Sequence, residues 1–320
     1  CTRNPACRRN TRGSARVFRA IAVSGLLDSA LTPGPSGASD RNEARVFDHR
    51  PIYGHIRFSY YGVTDTRLKP SEDDSTLLAL YDETRMARRF HLFENLTLPS
   101  LIAQTDRNFT TVIMSSDVMP DRFKERLVIL AARLPGAVVE FSASRRGDLA
   151  FRRFIAESLA PRMSGTAVHF RLDDDDALAV SYIARLRQIS QTLPPSTHVS
   201  FPSGIMLFPS GRDEPSGGSM PHQRFLTAIG LATVNSAKFT KNPFQMMHSN
   251  VWTRWPVVSD PSFPAFIRTQ HFANDTAEKQ DRIISALQRE RFSRRADRHI
   301  AAVEAALASH FPFITRERLE

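Results

Sequence analysis

The stretch that most constrains this chain is Val168-His169-Phe170-Arg171-Leu172-Asp173-Asp174-Asp175-Asp176-Ala177-Leu178. An apolar run reads as a buried strand, breaks into four consecutive carboxylates, and is followed at once by a helical pattern. Four adjacent acids repel one another, and the repulsion grows beside a core of low dielectric. Two arrangements relieve it. One is a solvated acidic turn. The other is a divalent cation, because hard cations such as Mg²⁺ and Mn²⁺ take oxygen ligands.

Strand and helix patterns alternate around this stretch. Residues 56–62 read as a first strand ending at Gly62. From Arg85, Met86, Phe90, Phe93 and Leu96 recur at helical spacing, and Pro99 suits the first turn of a second short helix. A strand over 109–117 is followed by a helix over 120–134, with Phe123, Leu127, Leu130 and Leu134 as its apolar stripe and Pro135-Gly136 as its stop. A third strand at 137–141, a loop with Arg145 and Arg146, and a helix over 149–159 lead into the acidic stretch. A helix with Ala179, Tyr182 and Leu186 inward comes after it. Such repetition predicts an α/β fold with a mostly parallel central sheet flanked by helices. Ligands of such sheets bind beyond the carboxyl ends of the strands, where Asp117, Arg145, Arg146 and Asp173 to Asp176 all fall. After Pro194-Pro195 the character changes: a hairpin is expected over 199–208, a Gly-rich loop over 211–221, antiparallel additions over 225–275, and helices over 281–290 and 296–310.

Charge and cysteine usage narrow the function classes. Residues 1–50 hold nine arginines against four acids, which is half of the net charge of +10. Rich in Arg, Ser, Gly and Pro, this segment reads as a disordered basic tail or a non-native extension. Alternatively it attaches the chain loosely to anionic lipid at the inner face of the membrane. The folded domain is expected over 51–320, with a donor half at about 51–195 and an acceptor-facing half at about 196–320. Its mild charge gives no footprint for nucleic acid, and no nucleic-acid partner is expected. Cys1 and Cys7 are the only cysteines, so no disulfide framework is expected, and a cytoplasmic location fits. The apolar run at 20–27 is too short to span a membrane.

Several pieces in order carry a resemblance. They are Arg89-Phe90-His91-Leu92-Phe93-Glu94, Leu98-Pro99-Ser100-Leu101 with Gln104-Thr105, Asn108-Phe109 entering a strand, Arg171 to Leu178, Asn242-Pro243-Phe244, and His271 with Asn274. Over roughly residues 51–290 the chain resembles the bacterial putative rhamnosyltransferase family, glycosyltransferases of the nucleotide-diphospho-sugar (GT-A) fold. The resemblance implies transfer of a sugar, rhamnose by the family label, from a nucleotide-diphospho-sugar donor to a hydroxyl of a saccharide or glycolipid acceptor. Bacterial surface polysaccharide or glycolipid assembly is the implied setting, with Mn²⁺ or Mg²⁺ as cofactor. The family's Asp-x-Asp matches Asp173 and Asp175, with Asp173 toward ribose or metal and Asp175 on the metal. Asp174 and Asp176 form a second, interleaved pair, so Asp176 is also a metal candidate. Alternation along a strand end puts the two pairs on opposite sides. His271 is the candidate nitrogen ligand by resemblance, and His248 is a rival without that support. Asp117 is expected to hold the base or ribose, or else to start a helix near Pro120. Arg145, Arg146, Arg152 and Arg153 are candidate diphosphate partners, since guanidinium forks suit phosphate, and at most one or two of them can serve. Asp213 and Glu214, in the Gly-rich loop, are the candidate catalytic base, and Asp260 is a rival. Two other classes remain open on the residues alone: a metal-dependent phosphoester hydrolase and a non-enzymatic basic polyanion-binding module.

Overall fold

Apolar strands that must bury both faces draw helices onto a parallel sheet. That is the arrangement in the computed structural model, which describes residues 50–62, 75–159, 165–209, 218–236, 242–271 and 296–315. The first strands are β1 (Ile52–Arg57), β2 (Thr110–Ser116), β3 (Ala137–Ser142), β4 (Thr166–Asp173) and β5 (Ala177–Leu178). They are followed by β6 (His198–Ser200), β7 (Ser203–Phe208), β8 (Gly218–Gln223), β9 (Ala232–Ser236), β10 (Val257–Ser259) and β11 (Phe266–Thr269). A seven-stranded sheet runs β10-β6-β9-β4-β1-β2-β3, and a four-stranded sheet runs β5-β11-β7-β8. In the large sheet β4, β1, β2 and β3 are parallel neighbours, and β9 lies antiparallel between β4 and β6. The fold is α/β with a mostly parallel central sheet. Strands from before and after residue 195 share both sheets, so the two halves of the chain are interleaved rather than set side by side.

The helices are α1 (Ser75–Leu80), α2 (Glu83–Leu92), α3 (Leu98–Ile102), α4 (Asp121–Ala131), α5 (Gly147–Phe154), α6 (Tyr182–Ser190) and α7 (Ala296–His310). A π turn at Phe93–Thr97 joins α2 to α3, so the two expected helices form one run, with Pro99 in the first turn of α3. Gln104 ties that run to the acidic stretch. Its amide nitrogen donates to the Ser100 and Ala179 carbonyls, and its oxygen accepts the Ile183 N–H at the start of α6. Among the described residues no helix is long and apolar enough to cross a membrane.

Four expectations are corrected. The additions over 225–275 are not all antiparallel: β9 is antiparallel to β4 and β6, but β10 runs parallel to β6 and β11 parallel to β7. Strand β1 starts at Ile52, earlier than 56, because Gly54 is a crossing point rather than a break: a Cβ there would lie 2.5 Å from the Phe170 ring of β4. No helix follows the acids directly, because Ala177 and Leu178 first pair with β11. The segment at 199–208 is not a hairpin: β6 joins the large sheet and β7 the small one. Phe201-Pro202 lies at the corner, and proline has no N–H to continue a ladder. Residues 1–49, the 281–290 helix and most of the Gly-rich loop lie outside the described residues.

The main core gathers Ile52, Ile56, Phe58, Phe90, Phe93, Val168, Phe170, Leu172 and Tyr182 between the large sheet and its helices. The opposite face of β1 and β4 is different. Period-two alternation puts Tyr53, His55 and Arg57 beside His169, Arg171 and Asp173 there. His55 Nε2 lies 2.9 Å from His169 Nδ1, with Tyr53 stacked on His169 and Phe151 of α5 edge-on to His55. Both imidazoles are wholly buried. Burial holds His169 down to about 3 and, with the charge of His169 added, holds His55 well below the ordinary value. An unfolded chain takes up these protons near pH ~6.5. The folded state is therefore at full strength above that value and loses stability as pH falls from about 6.5 toward 3, by up to ~1.4 kcal/mol per pH unit for each ring. Urea denaturation at pH ~7.5 and ~5.5 is expected to differ by about 1–3 kcal/mol, and equal midpoints and slopes at the two values would refute the assignment.

Candidate active site

At the carboxyl end of β4 the chain turns tightly, with the Asp176 N–H donating to the Asp173 carbonyl at 3.3 Å. Strand alternation stops at this turn. The two interleaved aspartate pairs are consequently not segregated, contrary to the expectation from alternation: Arg89 bonds both Asp174 and Asp175. Each of the four acids has its own surroundings. Asp174 is fully buried, ion-paired to Arg89, and accepts the Ser59 N–H at 3.2 Å. Asp175 takes Arg89 Nη1 at 2.6 Å and faces His271 Nε2 at 3.0 Å. Asp176 accepts the Thr269 N–H at 3.0 Å. Only Asp173 is partly open, with its side chain 31% exposed.

These surroundings set the charges. Burial opposes ionisation of Asp175, but Arg89 and then the His271 N–H hold its carboxyl well below the usual range. Burial, followed by the charges of Asp175 and Asp173, drives Asp176 well above the usual carboxylate range. Burial pushes Asp173 up as well, yet Arg171 and Arg57 bring it below the ordinary value. Burial keeps His271 below the ordinary imidazole value despite the opposing pull of Asp175, which favours the neutral ring.

Separate elements deliver these groups. Arg89 comes from α2, one turn after Arg85, whose Nη1 donates to Ser59 Oγ at 3.1 Å and the Leu80 carbonyl at 2.8 Å. Ser59, just past β1, has φ of 41°, a left-handed backbone that costs a non-glycine residue about 1 kcal/mol or more. Its bonds to Asp174 and Arg85 hold it there. From β11, Thr269 bonds Asp176 through its N–H and the Asp175 carbonyl through its hydroxyl at 2.7 Å. His271 follows two residues later.

The neighbouring strand ends gather other expected residues. Asp117 is exposed at the end of β2, and Arg145 lies over the Tyr61 ring at 4.4 Å. Tyr60, donating to the Ser144 carbonyl, feels the charges of both. Arg146 and Arg153 are engaged elsewhere, in exposed ion pairs with Asp148 and Glu157. Asp260 is clamped by Arg185 Nε at 2.7 Å and the Ser262 N–H at 3.0 Å. His248, at the start of a short 3₁₀ turn (His248–Thr253), is held down to about 4 by burial and then by the charges of Arg171 and Arg224. Asp213 and Glu214 lie outside the described residues.

The chain belongs to a known family. Residues 51–283 match the family described as putative rhamnosyl transferase. It is therefore a member of a glycosyltransferase family. No curated protein matches it. Among solved structures, TarS 1–349 of S. aureus is 11% identical with a TM-score of 0.39, covering 68% of this chain and 60% of that one. TarS 1–349 in complex with UDP is 9% identical with a TM-score of 0.39, covering 69% and 60%. The WbbM bifunctional glycosyltransferase in its apo form is 15% identical with a TM-score of 0.28, covering 60% and 32%. The chain thus spans about 60% of the length of the TarS 1–349 structures.

Donor chemistry bears on the expected cation. Asp175 offers a carboxylate oxygen 3.0 Å from an imidazole nitrogen of His271, a spacing compatible with two ligands sharing one coordination sphere at ~2.1 Å. The charges of Asp173 and Asp175 beside Asp176 also concentrate negative charge that a cation would offset. Among the described residues no group of three His, Cys, Asp or Glu is gathered ready for a metal. The pair therefore fits as a partial site, to be completed by ligand oxygens or water.

Arg89, Arg57, Arg171 and Phe244 were not assigned roles from sequence. For Arg89 a signal existed: Arg85 and Arg89 are four residues apart, beside Met86 and Phe90, on the buried stripe of α2. Replacing Arg89 with Met leaves Asp174 buried and unpaired, and is expected to lower the unfolding free energy by about 3–5 kcal/mol. Arg122→Met, which removes an exposed pair with Glu83, is expected to cost about 1 kcal/mol or less. Chemical denaturation of the two variants measures the contrast, and similar losses would contradict it.

Proposed function

We propose that this protein transfers a sugar, rhamnose in keeping with the family label, from a nucleotide-diphospho-sugar to a hydroxyl of a saccharide or glycolipid. The reading places its donor over the carboxyl ends of β1, β2, β3 and β4. What carries it is the acidic turn of a family member, closed by β11: four adjacent aspartates with one partly open carboxylate, at the strand end where parallel sheets bind ligands.

Each residue then has a task. Tyr61 with Arg145 over its ring offers a stacking shelf for the base, and Asp117 an acceptor for the base or ribose. Asp173, the exposed acid, accepts from a ribose hydroxyl. Asp175 and His271 would hold a Mn²⁺ or Mg²⁺ ion, which supplies charge neutralisation for a departing diphosphate. Arg89 fixes Asp175 in place, so that little reorganisation accompanies charge development. Asp213 or Glu214 takes the proton of the attacking hydroxyl, as a base within hydrogen-bond reach of it must. The basic segment before residue 50 gives the enzyme a loose hold on an anionic membrane surface.

Release of nucleoside diphosphate from a panel of donor sugars, with Mn²⁺, Mg²⁺ or chelator, tests the proposal. Turnover is expected with at least one donor, and chelator is expected to reduce it. Asp175→Asn is expected to lower kcat by about 100-fold or more, as loss of a transition-state electrostatic contact does. Asp174→Ala is expected to act mainly on stability, because it strands Arg89. Full metal-dependent turnover by Asp175→Asn would sink the assignment of Asp175.

A further inference from the structure

Among the described residues, seven large apolar side chains stand exposed. Leu78, Ile129, Leu149 and Ile300 are dispersed, one each on α1, α4, α5 and α7. The other three gather on one support. Phe225, Met247 and Trp252 are 61%, 49% and 61% exposed. Each directly adjoins, along the chain, a member of a single small core: Leu226, Met246 and Val251, packed with Leu231, Trp255 and Val257. That core rests on the edge of the large sheet. Trp255 stacks on His198 of β6, β10 pairs with β6, and the Phe225 carbonyl accepts the Ser200 hydroxyl at 3.0 Å. Met247 sits at the N-cap of the 3₁₀ turn His248–Thr253, which carries Trp252, and the Arg254 N–H closes that turn on the Val251 carbonyl at 3.1 Å. The three side chains are thus presented from a fixed base.

Charge around them has one sign. Residues 215–259 contain no Asp or Glu, in a chain that has 33, and they carry Arg224, Lys238, Lys241 and Arg254. Arg224 precedes Phe225, Arg254 follows Trp252 by two residues, and both arginines are exposed. Lys238 and Lys241 lie outside the described residues. Asp173 at the mouth of the site and Asp260 just past β10 each face arginine. His248, which opens the turn, is reached by the charges of Arg171, Arg224 and Asp173, so this surface adjoins that mouth. Aromatic and thioether side chains held out in water gain free energy when they are covered. A second copy in a two-fold contact sets Arg224 and Arg254 against their own equivalents, which like charge opposes. A bilayer surface suits both features: aromatic rings settle at the headgroup level, and neighbouring basic groups meet anionic lipid. We propose that Phe225, Met247 and Trp252, flanked by Arg224 and Arg254, form a docking surface for an anionic lipid bilayer. The docking does not depend on the transferase reading; under that reading it sets the mouth of the site beside a lipid-borne acceptor. It differs from the hold of the basic segment before residue 50 in placing Trp252 within the lipid interface.

The test uses the full chain with vesicles of phosphatidylcholine, alone or mixed with phosphatidylglycerol, and with brominated acyl chains that quench tryptophan on contact. Trp252 and Trp255 are the two tryptophans of the chain, so Trp255→Phe leaves Trp252 as sole emitter and Trp252→Phe leaves Trp255. On phosphatidylglycerol vesicles Trp252 emission is expected to shift to the blue and to be quenched, while that of Trp255, half-buried against His198, changes little. Sedimentation with the vesicles measures affinity, which is expected to fall as salt rises. Phe225→Ser combined with Trp252→Ser is expected to weaken binding by about tenfold or more. Arg224→Ser combined with Arg254→Ser is expected to do so by about tenfold or more as well. Thermal melting of both variants is expected to match wild type, because the replaced side chains are exposed. Absence of sedimentation, sedimentation without quenching of Trp252, or wild-type affinity in the Phe225→Ser, Trp252→Ser chain overturns the docking surface. Equal binding to neutral vesicles overturns it too, as does a dimer in solution that the same double substitution abolishes. Failure of the transferase reading shows separately, as no nucleoside diphosphate release from any donor while vesicle binding persists.

Discussion

Arg89 holds this site together by holding its charges apart. Asp174 has no exposure and Asp175 almost none, so their mutual repulsion acts in a medium that screens it poorly. One guanidinium lies against both, with its planar fork spread across two adjacent residues of a tight turn. A buried pair of this sort adds little net stability compared with apolar packing, but removing one partner is severe. What the pair contributes here is position. Asp174, fixed by Arg89, fixes in turn the left-handed Ser59 at the end of β1, and Asp175 meets His271 beyond β11. Two sheets and one helix thus meet at two carboxylates.

The same logic explains why four identical residues in a row do four different things. In a continuing strand, alternation would sort them into two equivalent pairs. The turn at Asp173–Asp176 ends that symmetry, and each side chain meets whichever element is nearest: arginines of the sheet, α2, β11 and its extension, and the backbone of Thr269. Asp176 is pushed well above the usual carboxylate range by burial and by the charges of Asp175 and Asp173, against the pull of Arg268. Asp173 stays ionised and partly exposed. A run of acids with such unequal charge states is suited to binding a polar ligand asymmetrically, with one end available and the rest committed to architecture.

Much of this was legible in the sequence because it is local. Parallel strands and amphipathic helices follow from periods of two and 3.6 residues, and the convergence of Asp117, Arg145 and the acidic turn on one sheet edge follows from strand direction. The approach of His271 to Asp175 was legible only through the family resemblance, since nothing in the spacing of residues 175 and 271 brings them together. What stayed hidden depends on contacts distant along the chain. Nothing along the chain links Arg57 to Arg171, and only the pairing of β1 with β4 makes them neighbours. Phe244 read as part of a motif, and only the packing of α5 stacks it on Phe151. Arg146 and Arg153 illustrate the converse: guanidinium groups at the right end of the sheet that are satisfied by acids two and four residues away.

The polar face shared by β1 and β4 links these observations. A strand face buried under a helix is ordinarily apolar, yet this one carries Tyr53, His55, His169, Arg57, Arg171 and Asp173 toward α5 and the Phe244 segment. Toward the amino ends of the strands the row is neutral, because burial keeps both imidazoles unprotonated. Toward the carboxyl ends it becomes ionic. The transition falls where solvent first reaches the face, at Asp173. Charge is thus tolerated only at the mouth, and the neutral histidines behind it bury polar atoms without adding to the positive field.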